Sequence, residues 1–237
     1  MQLNFFKALV NVIGLVWHRL NHGFLNGAWV TLGLVSVVTV LMIIPGAREQ
    51  LSFSAERILE HREWWRAFTS PFVHSSWDHY LWNVIVLFAS SLVCEQINRR
   101  AFVIYLLTML VVNAAFKLLV YGDAYSALGF SGVASGTFVL LLILIIAEGF
   151  FTRDFWMILV ASVILTVFSA HELGFLGSQT GWEMLTGRSI DSVPGKKTKP
   201  AHLLGMLTGF VVASGYLLAA AVIRKREQGK NCSQNPE

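Results

Sequence analysis

Residues 129–148 read GFSGVASGTFVLLLILIIAE, and this stretch decides what kind of protein the chain is. From Ser131 onward it carries no charged residue until Glu148. About 20 apolar residues in a helix match the thickness of the hydrocarbon core of a bilayer. The stretch therefore predicts a membrane-spanning helix whose first turn holds a serine between glycines.

The whole chain shares this apolar character. Of its 237 residues, 55% are hydrophobic and 14% are charged, and the mean hydropathy is +0.60. Soluble domains carry about 25% charged residues, so the composition indicates a membrane protein. The formal charge is +4, and the basic residues lie at loop ends and tails, as in Arg99-Arg100. This placement is typical of anchoring beside anionic lipid, and we expect no nucleic-acid partner.

Six apolar stretches predict an all-α, polytopic membrane protein, a bundle of six transmembrane helices. Their approximate bounds are 28–45, 79–97, 101–121, 131–148, 155–170 and 200–223. Apolar residues recur at helical spacing within residues 1–27, which we expect to lie on the membrane surface as an amphipathic segment. Residues 28–223 should then form one domain, followed by a polar tail at 224–237.

Short loops indicate the orientation, because Lys and Arg accumulate on the cytoplasmic side. The turn after the second span carries Arg99 and Arg100, and the turn after the fourth carries Arg153. Residues 122–130 carry no basic residue. We therefore expect both termini in the cytoplasm. A long segment before the sixth span, 171–199, has the composition of a solvated loop.

Polar residues lie near the starts of the second, fourth and sixth spans. Even-numbered helices of a serpentine chain begin at one membrane face, so His79, Asn83, Ser131 and His202 should meet at similar depth. Polar residues inside a membrane are costly and usually functional. Lys117, near the end of the third span, should instead extend its amine to the interface. The pattern predicts a site just below one surface.

Ser131 and His202 are the residue types of a nucleophile and its base. Gly129 permits a tight turn, and a helix start presents N–H groups to a developing oxyanion. Taken singly, the Ser-Gly pair is also typical of helix packing, and a histidine can cap a helix. Small residues on both helices would allow the approach that a Ser–His hydrogen bond of about 3 Å requires. They are Gly132, Gly136, Gly205 and Gly209.

His79 and Asn83 are four residues apart and share one helix face. Both can donate hydrogen bonds to an oxyanion, and the alternative is a polar clamp between helices. No acid near either residue completes an obvious triad, so a Ser–His dyad is the simplest expectation. We interpret His74 as a loop residue. We expect no metal and no cofactor, since the histidine spacing is not that of a zinc-binding helix and two cysteines build no cage.

Together these motifs resemble the rhomboid family of intramembrane serine proteases. The matching runs, in family order, are Trp65-Arg66, His74-x4-His79-x3-Asn83, Gly129-Phe130-Ser131-Gly132 and Ala201-His202-x2-Gly205-x3-Gly209. The resemblance implies a six-helix rhomboid-like bundle. It also implies that Ser131 attacks a peptide bond, that His202 accepts its proton, and that Asn83, His79 and the Ser131 N–H hold the oxyanion.

By the same resemblance, Trp65 and Arg66 shape a first loop that dips into the outer leaflet. The substrates would be single-span membrane proteins with a helix-destabilised segment. Resemblance to compact bacterial members implies the inner membrane. One departure is Ser135, where family members often carry an aromatic residue against the catalytic histidine, so Phe130 or Trp82 could hold His202 here.

Two other classes compete with a protease. A catalytically inactive rhomboid-like protein, acting in binding or quality control, would be expected to lack the serine or the histidine, and both are present. A channel or transporter would be expected to hold charged pairs or broken helices at mid-membrane, and these spans hold neither.

Overall fold

The computed structural model describes residues 27–120, 129–173 and 200–234, and these ranges contain helices and turns but no strand. The chain is therefore all-α, as predicted. Helices α1 to α8 are Trp29–Ile43, Ala47–Leu51, Ala55–Leu59, Trp65–Thr69, Trp77–Val120, Ser131–Thr152, Phe155–Glu172 and Pro200–Gln234, and a 3₁₀ turn, Ser70–Phe72, precedes α5. The predicted surface segment 1–27, except Gly27, and most of the predicted loop 171–199 lie outside the described residues.

Helix α5 combines two of the predicted spans. Its backbone leaves helical geometry at Asn98, where φ is −155° and ψ is 86°. We call residues 77–97 the first arm and residues 99–120 the second arm. The arms run antiparallel, because Lys117 near the end of the second arm donates a 2.8 Å hydrogen bond to Ser70, just before the first arm.

Six apolar helical segments result: α1, the two arms of α5, α6, α7 and α8. Helices α5 to α8 are long and apolar enough to cross a membrane. Helix α1, with 15 residues, is about 22 Å long. It stops at Ile43 because Pro45 cannot continue it. The protein is an integral membrane protein, and the predicted six-helix bundle is confirmed.

The prediction was wrong about where α7 ends. His171 and Glu172 were assigned to the loop, but they are the last residues of the helix. Asp154 caps its start, where a side-chain oxygen accepts the Met157 N–H at 3.1 Å. Hydropathy falls at His171 and Glu172, but the backbone stays helical through both residues. The apolar pattern alone therefore placed the end of α7 too early.

Helix α6 lies at the centre of the bundle and packs against α5, α7 and α8. Its approach to α8 leaves no room for side chains. A Cβ atom added to Gly132 or Gly136 would clash with the carbonyl oxygen of Ala201 or Gly205, and one added to Gly205 or Gly209 would clash with Gly132 or Gly136. We call this contact the glycine seam. Its successive pairs advance together along both helices, so α6 and α8 run parallel and start at the same membrane face.

The first loop folds around the buried side chain of Arg66. Its guanidinium donates to the carbonyl oxygens of Glu49 at 2.8 Å and Ser52 at 3.1 Å, and it pairs with the Glu63 carboxylate. Arg66 thereby joins α2 and the residues after it to α4. Trp65, next to it, is 51% exposed. The amine of Lys117, which we expected to extend to the interface, is buried under this loop against Ser70.

We expect Gly205→Ala to lower the thermal stability of the purified protein, because the new methyl group would force two backbones apart. Overpacking of this kind typically costs about 1–3 kcal/mol. The matched control is Gly215→Ala on the same helix, where an added Cβ meets nothing within 4 Å. If both variants melt at the wild-type temperature, α6 and α8 do not meet at the seam.

Candidate active site

The predicted site residues gather where α5, α6 and α8 begin. Ser131 is the first residue of α6, His202 is the third residue of α8, and His79 is the third residue of α5. The glycine seam aligns the starts of α6 and α8, because Gly132 packs on Ala201. Ser131 and His202 are the chain neighbours of these two contacting residues. The end of α7 reaches the same place through Glu172.

Ser131 is partly buried at the helix start. Gly129 has a φ of +101°, a left-handed conformation that side chains other than glycine rarely adopt. No side chain caps the first turn of α6 at Phe130. The first N–H groups of a helix have no partner within it. Near Ser131 the backbone therefore offers donors and the positive end of a helix dipole to an anion.

The turn before Ser131 is held by residues just before and at the start of α5. The Phe130 N–H donates to Nε2 of His74 at 3.5 Å, and the Phe130 ring packs on Phe72 with centroids 5.3 Å apart. The His79 ring lies against Gly129, where an added Cβ would come within 2.7 Å of it. These contacts fix the backbone that carries the serine.

His74 is more than the loop residue that the sequence suggested. Its side chain is buried and its ring lies 5.4 Å from that of His79. Burial, with a smaller contribution from the nearby His79, lowers the pKa of His74 to about 3. The neutral ring can then accept the Phe130 N–H at any physiological pH.

Asn83 lies one turn beyond His79 on the same face of α5. It is buried, and its Nδ2 has no hydrogen-bond partner among the described residues. Leaving a buried amide unsatisfied costs about 1–3 kcal/mol, so folded proteins seldom retain one without a use. His79 is only partly buried, and its backbone N–H donates to Ser76 Oγ at 3.3 Å.

His202 is held through one ring nitrogen and open at the other. Its Nδ1 lies 2.5 Å from Oε2 of Glu172. Its Nε2 is buried and has no hydrogen-bond partner within the described part of the chain. No hydrogen bond joins it to Ser131 in this structure. The sequence suggested Phe130 or Trp82 as the support of His202, whereas the contact found is with a carboxylate.

Glu172 is the residue that sequence reasoning missed. It lies thirty positions before His202, beside a region assigned to a loop, and it belongs to no short motif. A possible signal was its place at the end of an odd-numbered span, which returns the chain to the face where even-numbered helices begin. Trp65 and Arg66 lie in the first loop, where Arg66 holds the loop together and Trp65 is half exposed.

A family model described as the Rhomboid domain matches residues 61–219 of the chain. The match covers about two thirds of the sequence. It includes every residue assigned above to the site and to the glycine seam. No curated protein matches the chain.

We expect Asn83→Ala to lower cleavage of a transmembrane reporter, the activity that the sequence predicts, by about 10²–10³, the usual cost of losing one oxyanion donor. Its melting temperature should stay near that of the wild type, since the Nδ2 group makes no bond to lose. The control is Ser91→Ala, which removes another buried and unpartnered group about 12 Å further along the same arm. Equal activity of Asn83→Ala and wild type would show that Asn83 is a structural clamp.

Proposed function

Because the chain belongs to the rhomboid family, we propose that it is an intramembrane serine protease that hydrolyses peptide bonds in or near transmembrane segments of other proteins. One observation carries the proposal. The imidazole of His202 is oriented through Nδ1, while its Nε2 is buried without a partner beside the helix start that carries Ser131. A general base needs this combination of a fixed ring and an unoccupied lone pair.

In the proposed reaction, Ser131 Oγ attacks the carbonyl carbon of the scissile bond and His202 Nε2 takes the hydroxyl proton. The proton then passes to the leaving amine, and water hydrolyses the acyl-enzyme with His202 again acting as base. Catalytic hydrogen bonds in unliganded enzymes are often long and tighten when substrate binds. The absence of a Ser131–His202 bond before binding is compatible with this sequence.

The oxyanion of the tetrahedral intermediate would be held by the Ser131 N–H, by Asn83 Nδ2 and by His79. The uncapped start of α6 supports the first of these roles, and the unpartnered amide of Asn83 supports the second. Preorganised donors are effective because they need no rearrangement when charge develops. The conformation of Gly129 supports this arrangement by letting the backbone turn into the helix.

The proposed setting is a bacterial inner membrane with both termini in the cytoplasm. Arg99 and Arg100 lie at the bend of α5, and Arg153 lies between α6 and α7. These turns are at the opposite end of the bundle from Ser131. The positive-inside rule then puts the nucleophile near the non-cytoplasmic surface, where water can reach it.

We expect Ser131→Ala and His202→Ala each to abolish cleavage of a transmembrane reporter, and the double variant to be no worse. Nucleophile and base act as one unit, so their losses do not add. A fluorophosphonate probe should label the wild type at Ser131 and neither variant. Substantial cleavage by purified Ser131→Ala protein would falsify the mechanism. A stable wild-type protein with neither labelling nor cleavage would point to the inactive binding protein.

The substrate segment must unwind before it is cut, because helical carbonyl groups are hydrogen-bonded and shielded. Gly costs a helix about 1 kcal/mol and Pro about 3 kcal/mol relative to Ala. We expect a single-span reporter with a small residue and such a helix breaker in its outer third to be cut near the non-cytoplasmic face. The matched reporter has Leu in place of the breaker and should be cut far more slowly. Cleavage sites mapped by mass spectrometry to the cytoplasmic third would contradict the orientation.

A further inference from the structure

The carboxylate of Glu172 holds the proposed base. Oε2 lies 2.5 Å from His202 Nδ1, and both side chains are largely buried, with 15% and 18% of their surfaces exposed. The other oxygen, Oε1, lies 3.7 Å from Nδ1 of His171. Of the two histidines near Glu172, His202 makes the closer contact.

The position of Glu172 at the C-terminal end of α7 is electrostatically unfavourable unless the carboxylate has a specific partner. A negative charge at the C-terminal end of a helix opposes the helix dipole. The other end of α7 has the favourable arrangement, with Asp154 capping the first N–H groups. Burying a carboxylate within membrane-spanning helices adds a desolvation cost that a specific partner must offset. Here that partner is the ring that the proposed reaction uses.

The contact also decides which nitrogen of His202 carries the proton. A carboxylate accepts a hydrogen bond and cannot donate one when ionised, so Nδ1 bears the hydrogen and Nε2 keeps its lone pair. This is the tautomer that accepts a serine proton. Ser135, one helical turn after Ser131, has no ring that could stack on His202. The Glu172 carboxylate therefore orients the His202 ring, which Ser135 cannot do.

We infer that Glu172 is a positioning residue that makes the site a Ser131–His202–Glu172 triad. The inference rests on the proposed function. Glu172 would not touch the substrate. It would hold the His202 ring in one orientation and tautomer and face the positive charge that forms on the ring while it carries the serine proton. Ser131, His202 and Glu172 come from three helices, so the triad depends on the end of α7 as well as on the glycine seam.

The test compares E172Q with the wild type in detergent, using reporter cleavage and the rate of fluorophosphonate labelling. An amide can donate to Nδ1 and so favour the wrong tautomer. The corresponding exchange of Asp for Asn costs about 10⁴ in kcat in a chymotrypsin-type triad. We expect kcat and the labelling rate constant to fall by between about tenfold and 10⁴-fold, with KM and the final labelled fraction nearly unchanged.

The final labelled fraction separates positioning from folding. If Glu172 only stabilises the fold, E172Q should label a smaller fraction of the protein at the wild-type rate, and the inference is wrong. The matched control is E148Q, the same exchange at the far end of α6, which should label and cleave like the wild type. H171Q should do the same, because His171 lies 3.7 Å from Oε1, the carboxylate oxygen that does not hold His202.

E172D keeps the test decisive if E172Q does not fold. It retains a carboxylate that accepts from Nδ1 after a small shift of the helix end, and it should label at least about tenfold faster than E172Q or E172A. Equal rates for E172D and E172A would overturn the inference. Failure of wild-type protein to label at Ser131 would instead refute the proposed function itself, so the two failures are distinguishable.

Discussion

The contact on which the rest of the structure depends is the backbone-to-backbone approach of α6 and α8. Two helices bearing ordinary side chains pack with their axes about 8–10 Å apart. Here each of four glycines faces a carbonyl group of the other helix, and there is no space for a methyl group. Ser131 and His202 are the sequence neighbours of Gly132 and Ala201, the first contacting pair of the glycine seam. Their separation is therefore set by main-chain atoms, which have far less freedom than the side chains of a looser interface.

The buried polar groups near Ser131 differ from the buried charged groups elsewhere in the bundle. Glu95 accepts the first N–H groups of α1, and Arg66 and Lys117 are bonded to neighbouring loops. Each of these charges is buried and has a partner that accounts for its position. Asn83 Nδ2 and His202 Nε2 are buried as well, yet nothing within the described chain bonds to them. Leaving such groups unsatisfied is costly, and these two lie close to the helix start that carries Ser131.

The features of the fold and of the candidate site that could be predicted are those set by residues close together in the sequence. The helical class and the six segments follow from hydropathy, and the glycine spacing indicates which helix faces can approach closely. Glu172 and Lys117 could not be placed in this way, because their partners lie thirty and forty-seven positions away. For His74 the sequence indicates a loop correctly, but burial depends on how that loop folds onto the start of α6. Long-range pairing of single polar residues leaves no periodic pattern, so only a three-dimensional structure reveals it.

His202 lies on α8, which is synthesised after α6 and α7, and this order has a consequence for the timing of assembly. During synthesis, the serine and its surrounding donors enter the membrane while α8 is still to be made. Until that helix docks along α6, the proposed nucleophile has no base, and Glu172 at the end of α7 has no His202 ring to hold. A chain that has made α6 and α7 but not α8 would therefore lack the proposed base. Docking of α8 along α6 would then be the step that assembles the proposed site.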